Sequence, residues 1–187
     1  MGKEKKKKAE KRPRVSLLKL ILFALKVHMS KMPVLFICTN IIAIFHGISH
    51  GFATFMTQKF YDAIESVIKN KEPIKYAYLA IAALGCTYII KELLNGIHNF
   101  MYETVLSKAD GEMTKIIHDK MARIDPICLE DTKLHDDINK AQEGSRTVSL
   151  ILNICVTIFT FYVPYFLFMA AYLYYLKPIF ILAIILV

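Results

Sequence analysis

The sequence predicts an all-α membrane protein whose long transmembrane helices extend into the cytoplasm and are joined there by a short coupling helix. Three observations predict it. Pro33 to Gln58 contains no charged residue, and such a run rises ~39 Å as a helix, enough to cross a ~30 Å hydrocarbon core. Hydrophobic residues make up 55% of the 187-residue chain, against ~45–50% in soluble domains. Helical spacing of apolar residues also continues beyond the second apolar run, through Val105, Ala109, Met113 and Ile117, now among acids and bases.

The elements follow in order. Residues 1–14 are basic, low in complexity and expected to be disordered. Eleven of the 24 Lys and Arg fall between Lys3 and Lys31, ahead of the first uncharged run. The basic tract of Lys5–Lys8 with Lys11, Arg12 and Arg14 has no aromatics for base stacking, so the net charge of +8 reads as a topology signal and a contact with anionic lipid, not with nucleic acid. Residues 15–30, VSLLKLILFALKVHM and Ser30, form a short apolar stretch carrying Lys19 and Lys26. An amphipathic elbow helix lying in the interface fits it better than a span. Pro33 disfavours helix in the residue before it and suits the first turn of the next.

From residue 31 onward the chain reads as membrane domain, with spans at about 33–58, 74–124 and 138–176 and an incomplete one at 178–187. Lys59 to Lys75 is mixed in charge and reads as an outside loop. The second span has no Pro between Ile74 and Asp125 and is expected to be one helix of about fifty residues, near 75 Å. Asp125-Pro126 ends it. The acid-rich stretch Ile127–Gln142 follows, with Asp131 as N-cap of a small helix over Thr132–Asp137. The third span runs on to Tyr175, and Pro164 is expected to kink it. Basic residues number eleven in the N-terminal segment and seven from Glu103 to Arg146, against four and one in the two opposite turns. The N-terminus and the central hairpin tip are therefore expected on the cytoplasmic side of a cell membrane. Only nine residues follow Pro178, so the fourth span is expected to be completed by chain beyond it.

An elbow helix, a short outside loop and two over-long helices joined by a short acidic helix resemble the N-terminal half of the six-span membrane domain of ABC exporters. The stretch MARIDPICLEDTKLHDDINKA from Met121 to Ala141 is similar to the family's helix end, acidic pair and short helix, although Leu129 stands where the family usually has an aromatic. Leu173 to Pro178 resembles the family's outside turn. The resemblance implies that Asp131, Thr132, Lys133, Leu134, His135, Asp136 and Asp137 form a coupling helix docking on a nucleotide-binding domain, and that a second transmembrane half shares the pathway. No G-x-x-x-x-G-K-[ST] occurs in the sequence, so no phosphate cradle exists in this chain. ATP and Mg would be held by a nucleotide-binding domain elsewhere.

Candidate pathway residues come from polar groups within the apolar runs, because ionisable residues there usually face protein or water. His46 and His50 lie four apart on the first span. Glu92, with Lys91, Asn95 and His98, marks the second, and Asn153 the third. Two imidazoles one turn apart can bind a metal, but no third ligand with matching spacing is visible. Ala43, Gly47 and Gly51 repeat every four residues and read as a close helix-packing stripe. The four cysteines are widely spaced, which argues against disulfides or zinc. No nucleophile–base set can be assembled for a membrane enzyme. The competing reading is a stand-alone small membrane protein that binds or regulates a partner through its acidic hairpin.

Overall fold

The computed structural model describes residues 15–127 and 131–180. The basic residues 1–14, the segment 128–130 with Leu129, and the last apolar run beyond 180 lie outside the described residues. Three long helices and two shorter ones account for nearly all of what is described, and no strand occurs among the described residues. They are α1 (Leu17–Lys31), α2 (Pro33–Ile68), α3 (Ile74–Met121), α4 (Thr132–Thr157) and α5 (Val163–Leu176). A π-helical segment, Ile158–Tyr162, joins α4 to α5, so Thr132–Leu176 is one unbroken helical run of 45 residues. Three helices are long and apolar enough to cross a membrane: α2, α3 and this run.

Two elements differ from the sequence reading. First, α2 does not stop at Gln58. It continues ten residues further, because nothing in Lys59–Ile68 breaks a helix and its charges pair along the surface. Lys59 Nζ lies 3.6 Å from Asp62, and Lys69 pairs with Glu65 one turn before it. Such pairs add a few tenths of a kcal/mol each, roughly, to a helix. The helix ends where Asn70 takes a left-handed conformation at φ 54°. The Asn70 and Lys71 amides then donate to Val67 O and Ser66 O, both at 3.0 Å, the paired capping bonds of a Schellman motif. The loop expected over Lys59 to Lys75 shrinks to Lys69–Pro73.

Second, Thr132–Asp137 is not a separate short helix. Asp131 caps it as expected, accepting from the Lys133 amide at 2.9 Å. The helix then continues through Ala141 and Arg146 with no proline until Pro164, so the acidic stretch becomes the opening turns of α4.

Packing places α2 at the centre. Antiparallel α3 lies along one side, and the π segment with α5 lies on another. Towards the end remote from the Lys69–Pro73 turn, α3 packs on α4, and α1 docks on both. Two small apolar clusters hold that junction. Ala24 and Val27 of α1 meet Met113 and Leu152. Met32 and Phe36 meet Val105 and Ala109. Elsewhere large apolar side chains such as Val34, Phe100, Phe159 and Leu167 face outward, which is compatible with helices that cross a membrane.

Candidate functional site

Helical spacing of four puts His46 and His50 on one face of α2. Their Nε2 atoms lie 3.1 Å apart, so the pair shares one proton between two imidazoles. The site occupies the middle of the apolar run of α2, since His46 is ~20 Å along the helix from Pro33. His98 of α3 completes the group, its ring centroid 5.5 Å from that of His46. Both rings are enclosed, His46 at 5% and His98 at 8% exposure. His98 was legible only as one polar residue of the second span. What brings it to His46 is the antiparallel register of the α2–α3 pair.

The other wall is aromatic. Phe161 lies 4.9 Å from His46 and 5.6 Å from His50, centroid to centroid, and Tyr165 stands edge-on to His50 at 6.5 Å. Pro164 explains the position of Phe161. Lacking an N–H and crowding the carbonyl four residues earlier, proline cannot sit in a regular α-helix interior. The helix widens ahead of it, and the Val163 amide donates to Ile158 O across five residues. Such π segments are rare and frequent at functional sites. The expected kink is thus a π-helical widening.

The small residues of α2 make this approach feasible. A Cβ placed on Gly47 would lie 2.3 Å from the Phe161 carbonyl oxygen, and one on Gly51 would lie 2.5 Å from the Phe168 ring. Ala43 is buried one turn earlier.

On α3, Glu92 is not a free acid. Its Oε1 lies 2.9 Å from Lys91 Nζ, whose ammonium also sits 4.7 Å over the Tyr88 ring. Asn95 donates to Glu92 at 3.3 Å and Asn99 to Asn95 at 3.0 Å. The two charges neutralise each other, and a polar ladder continues along the helix beside the histidines.

His46 Nδ1 is buried and has no hydrogen-bond partner. Whichever imidazole holds the shared proton, this nitrogen is left as an unpaired donor or acceptor, at a cost of ~1–3 kcal/mol. The cluster therefore offers one hydrogen-bonding atom between aromatic walls, with a neutralised ion pair alongside. Among the described residues, no group of three or more His, Cys, Asp or Glu has the geometry to hold a metal.

Asn153 stands apart from this cluster. It is 5% exposed, donates to Ser149 O at 2.9 Å and lies 3.4 Å from His28 Nε2. His28 is fully buried; its Nδ1 donates to Ala24 O at 2.8 Å and its ring stands edge-on to Phe36 at 5.3 Å. Those two bonds fix one tautomer, with the proton on Nδ1 and the Nε2 lone pair facing the Asn153 amide. Burial holds the His28 pKa below the ordinary histidine value, partly opposed by the Ala24 carbonyl. Asn153 thus ties α4 to the elbow helix. The sequence reading passed over His28; its only signal was its position beside Ala24 and Val27 on the buried stripe of α1.

At the far tip, Asp131, Thr132, Lys133, His135 and Asp136 are exposed, while Leu134 and Asp137 are half-buried. Comparison of the chain with protein-family models, with curated proteins and with solved structures returns no match.

Proposed function

We propose that the chain is the membrane-domain part of an ATP-driven exporter of the ABC type, forming part of the substrate pathway and coupling to a nucleotide-binding domain outside this chain. One observation carries the reading: α3 and the run from Thr132 have 48 and 45 residues, ~72 and ~68 Å of helix, against the ~30 Å that a bilayer core needs. They pack side by side away from the α2–α3 turn and end in an exposed acidic tip. Helices so much longer than a span have a mechanical use when something pushes on the tip.

The rest of the proposed mechanism is built on the distances between these elements. Thr132 lies 29 residues before Phe161, ~44 Å along the helical run. Force applied at Asp131–Asp137 acts through that arm on the Phe161–Gly47 contact, where the run bears on α2 without an intervening side chain. The motion opens or closes the space beside His46, His50 and His98, the polar groups in the middle of the spans. There the free nitrogen of His46 meets a polar group of the passing substrate, and the aromatic rings meet its apolar part. Lys91 and Glu92 compensate one another, so the pathway carries little net charge.

The test is chemical cross-linking in membranes. With a cysteine replacing Leu134, a bifunctional reagent is expected to join the tip to a polypeptide carrying a P-loop, and the purified assembly to hydrolyse ATP. A tip that cross-links only to non-ATPase chains, in an assembly without ATPase activity, overturns the reading and favours a partner-binding regulator.

A further inference from the structure

Beside the docked elbow helix lies a chamber of ≈ 540 Å³ that the pathway does not use. Its walls are Leu20 and Phe23 of α1, Met113, Ile116 and Ile117 of α3, and Val148 of α4, and Lys120, Asp137 and Ser145 contribute its polar atoms. The volume is that of a ligand pocket, about 300–1,000 Å³, and so is the lining, apolar with a few polar groups.

Small residues create the space. Ala141 and Gly144 lie on the wall, and a Cβ built on Gly144 meets nothing within 4 Å. The packed cluster of Ala24, Val27, Met113 and Leu152 adjoins the chamber through Met113. The open end is continuous with the outside, because Leu20 and Phe23 line the chamber and are also 36% and 48% exposed. They merge there with Leu17, Leu18 and Leu22, the exposed apolar surface of α1. α1 has Lys19, Lys26 and Lys31 and no acid. An apolar helix surface studded with lysines belongs at the boundary between acyl chains and anionic headgroups.

We infer that the chamber binds one acyl chain of an anionic phospholipid, the tail entering past Leu20 and Phe23 and the headgroup held against the lysines of α1. Two features of the site favour this occupant. The chamber wall is mainly apolar, with Lys120, Asp137 and Ser145 as its polar members, and its mouth merges with the exposed apolar surface of α1, so hydrocarbon enters along apolar side chains. Lys31 faces Glu112 of α3 at 4.0 Å, so Lys19 and Lys26 are the charges of α1 that select an anionic headgroup over a zwitterionic one. The bound lipid bridges the elbow to α3 and α4, so its occupancy sets how firmly the elbow follows the long helices. This inference rests on the placement of the chain in a bilayer and not on the transport reading.

The experiment uses the full chain in vesicles of phosphatidylcholine and phosphatidylglycerol, with a trace of phosphatidylglycerol bearing a diazirine in the middle of one acyl chain. After illumination, labelled peptides are mapped. Labels are expected on residues 113–124 and 137–148, in addition to the outer faces of the spans. Gly144→Phe, whose ring fills open space, is expected to reduce chamber labelling by at least about tenfold, which corresponds to ~1.4 kcal/mol, while labelling of the span faces stays constant. Gly144→Ala, adding a single carbon, controls for folding. Wild-type labelling confined to the span faces overturns the proposal whether or not the variants fold, and so does chamber labelling that Gly144→Phe leaves unchanged. Equal chamber labelling by a phosphatidylcholine probe overturns the headgroup assignment. None of these outcomes bears on ATPase coupling at the Leu134 tip.

Discussion

The Phe161 carbonyl lies directly against Gly47: a single added carbon at that glycine would come within 2.3 Å of the oxygen. A backbone carbonyl inside a π segment cannot swing aside as a side chain does. Gly47→Ala is therefore expected to destabilise the chain by about 1–3 kcal/mol, the usual cost of overpacking. Gly51→Ala meets the Phe168 ring instead, which can rotate, and the ~1 kcal/mol gain in helix propensity offsets much of its strain. Thermal unfolding in detergent checks the difference. Equal midpoints for the two variants would remove the claim that Gly47 is the point of backbone contact.

His46 places an unpaired nitrogen in a buried position, which no stability requirement explains. Replacing it with leucine removes an unsatisfied group worth ~1–3 kcal/mol and keeps similar bulk. It also removes the 3.1 Å bond to His50, so the two effects offset and His46→Leu is expected to unfold close to the wild-type midpoint. Under the proposed export function it is expected to lower transport at least about tenfold, ~1.4 kcal/mol of barrier, with His46→Gln recovering part of the loss. A variant that is both less stable and fully active would show that the histidine only packs.

These residues also show what the sequence carries. His46 with His50, and Gly47 with Gly51, are legible because both pairs share a turn of one helix, and a period of 3.6 is a local property. His98 joins them only through the register between α2 and α3. Phe161 joins only because a proline three residues later shifts it by one position, and His28 meets Asn153 across 125 residues. Contacts of that kind depend on packing between elements and leave no spacing to find. The extension of α2 past Gln58 was hidden for a different reason. Charge marks the edge of the apolar run, whereas the helix itself runs on until the left-handed Asn70 ends it.

Asp131 opens α4 with a defined cap, its carboxylate accepting from the Lys133 amide. Asp131→Ala is expected to cost ~1 kcal/mol of cap stability and to speed amide exchange in the first turn of α4 about fivefold. Asp131→Asn keeps the acceptor and is expected to leave exchange close to wild type. Hydrogen exchange read by mass spectrometry over residues 132–137 checks both. If alanine and asparagine behaved alike, the cap would contribute nothing to holding the tip in helical form.

The bond between His28 and Asn153 makes elbow docking sensitive to pH, with a sign that follows from burial. The folded state holds the His28 pKa below the ordinary value of 6.5. Below pH 6.5 the unfolded chain therefore takes up a proton that the folded chain refuses. The unfolded state binds more protons, so stability rises with pH through this window. The full contribution is present above ~pH 6.5 and is lost as pH falls towards the folded-state value, at no more than ~1.4 kcal/mol per pH unit. His28→Gln cannot titrate and keeps hydrogen-bonding atoms for Ala24 and Asn153. The difference in unfolding free energy between wild type and His28→Gln cancels the contributions of other titrating groups, and it is expected to shift against wild type as pH falls from ~7 to ~5. At pH ~7, Asn153→Ala is expected to cost about 1–3 kcal/mol, and much less when His28 is already replaced by alanine, because the two residues share one bond. A pH-independent difference, or strictly additive losses in the double variant, would mean that α1 is held by its apolar cluster alone.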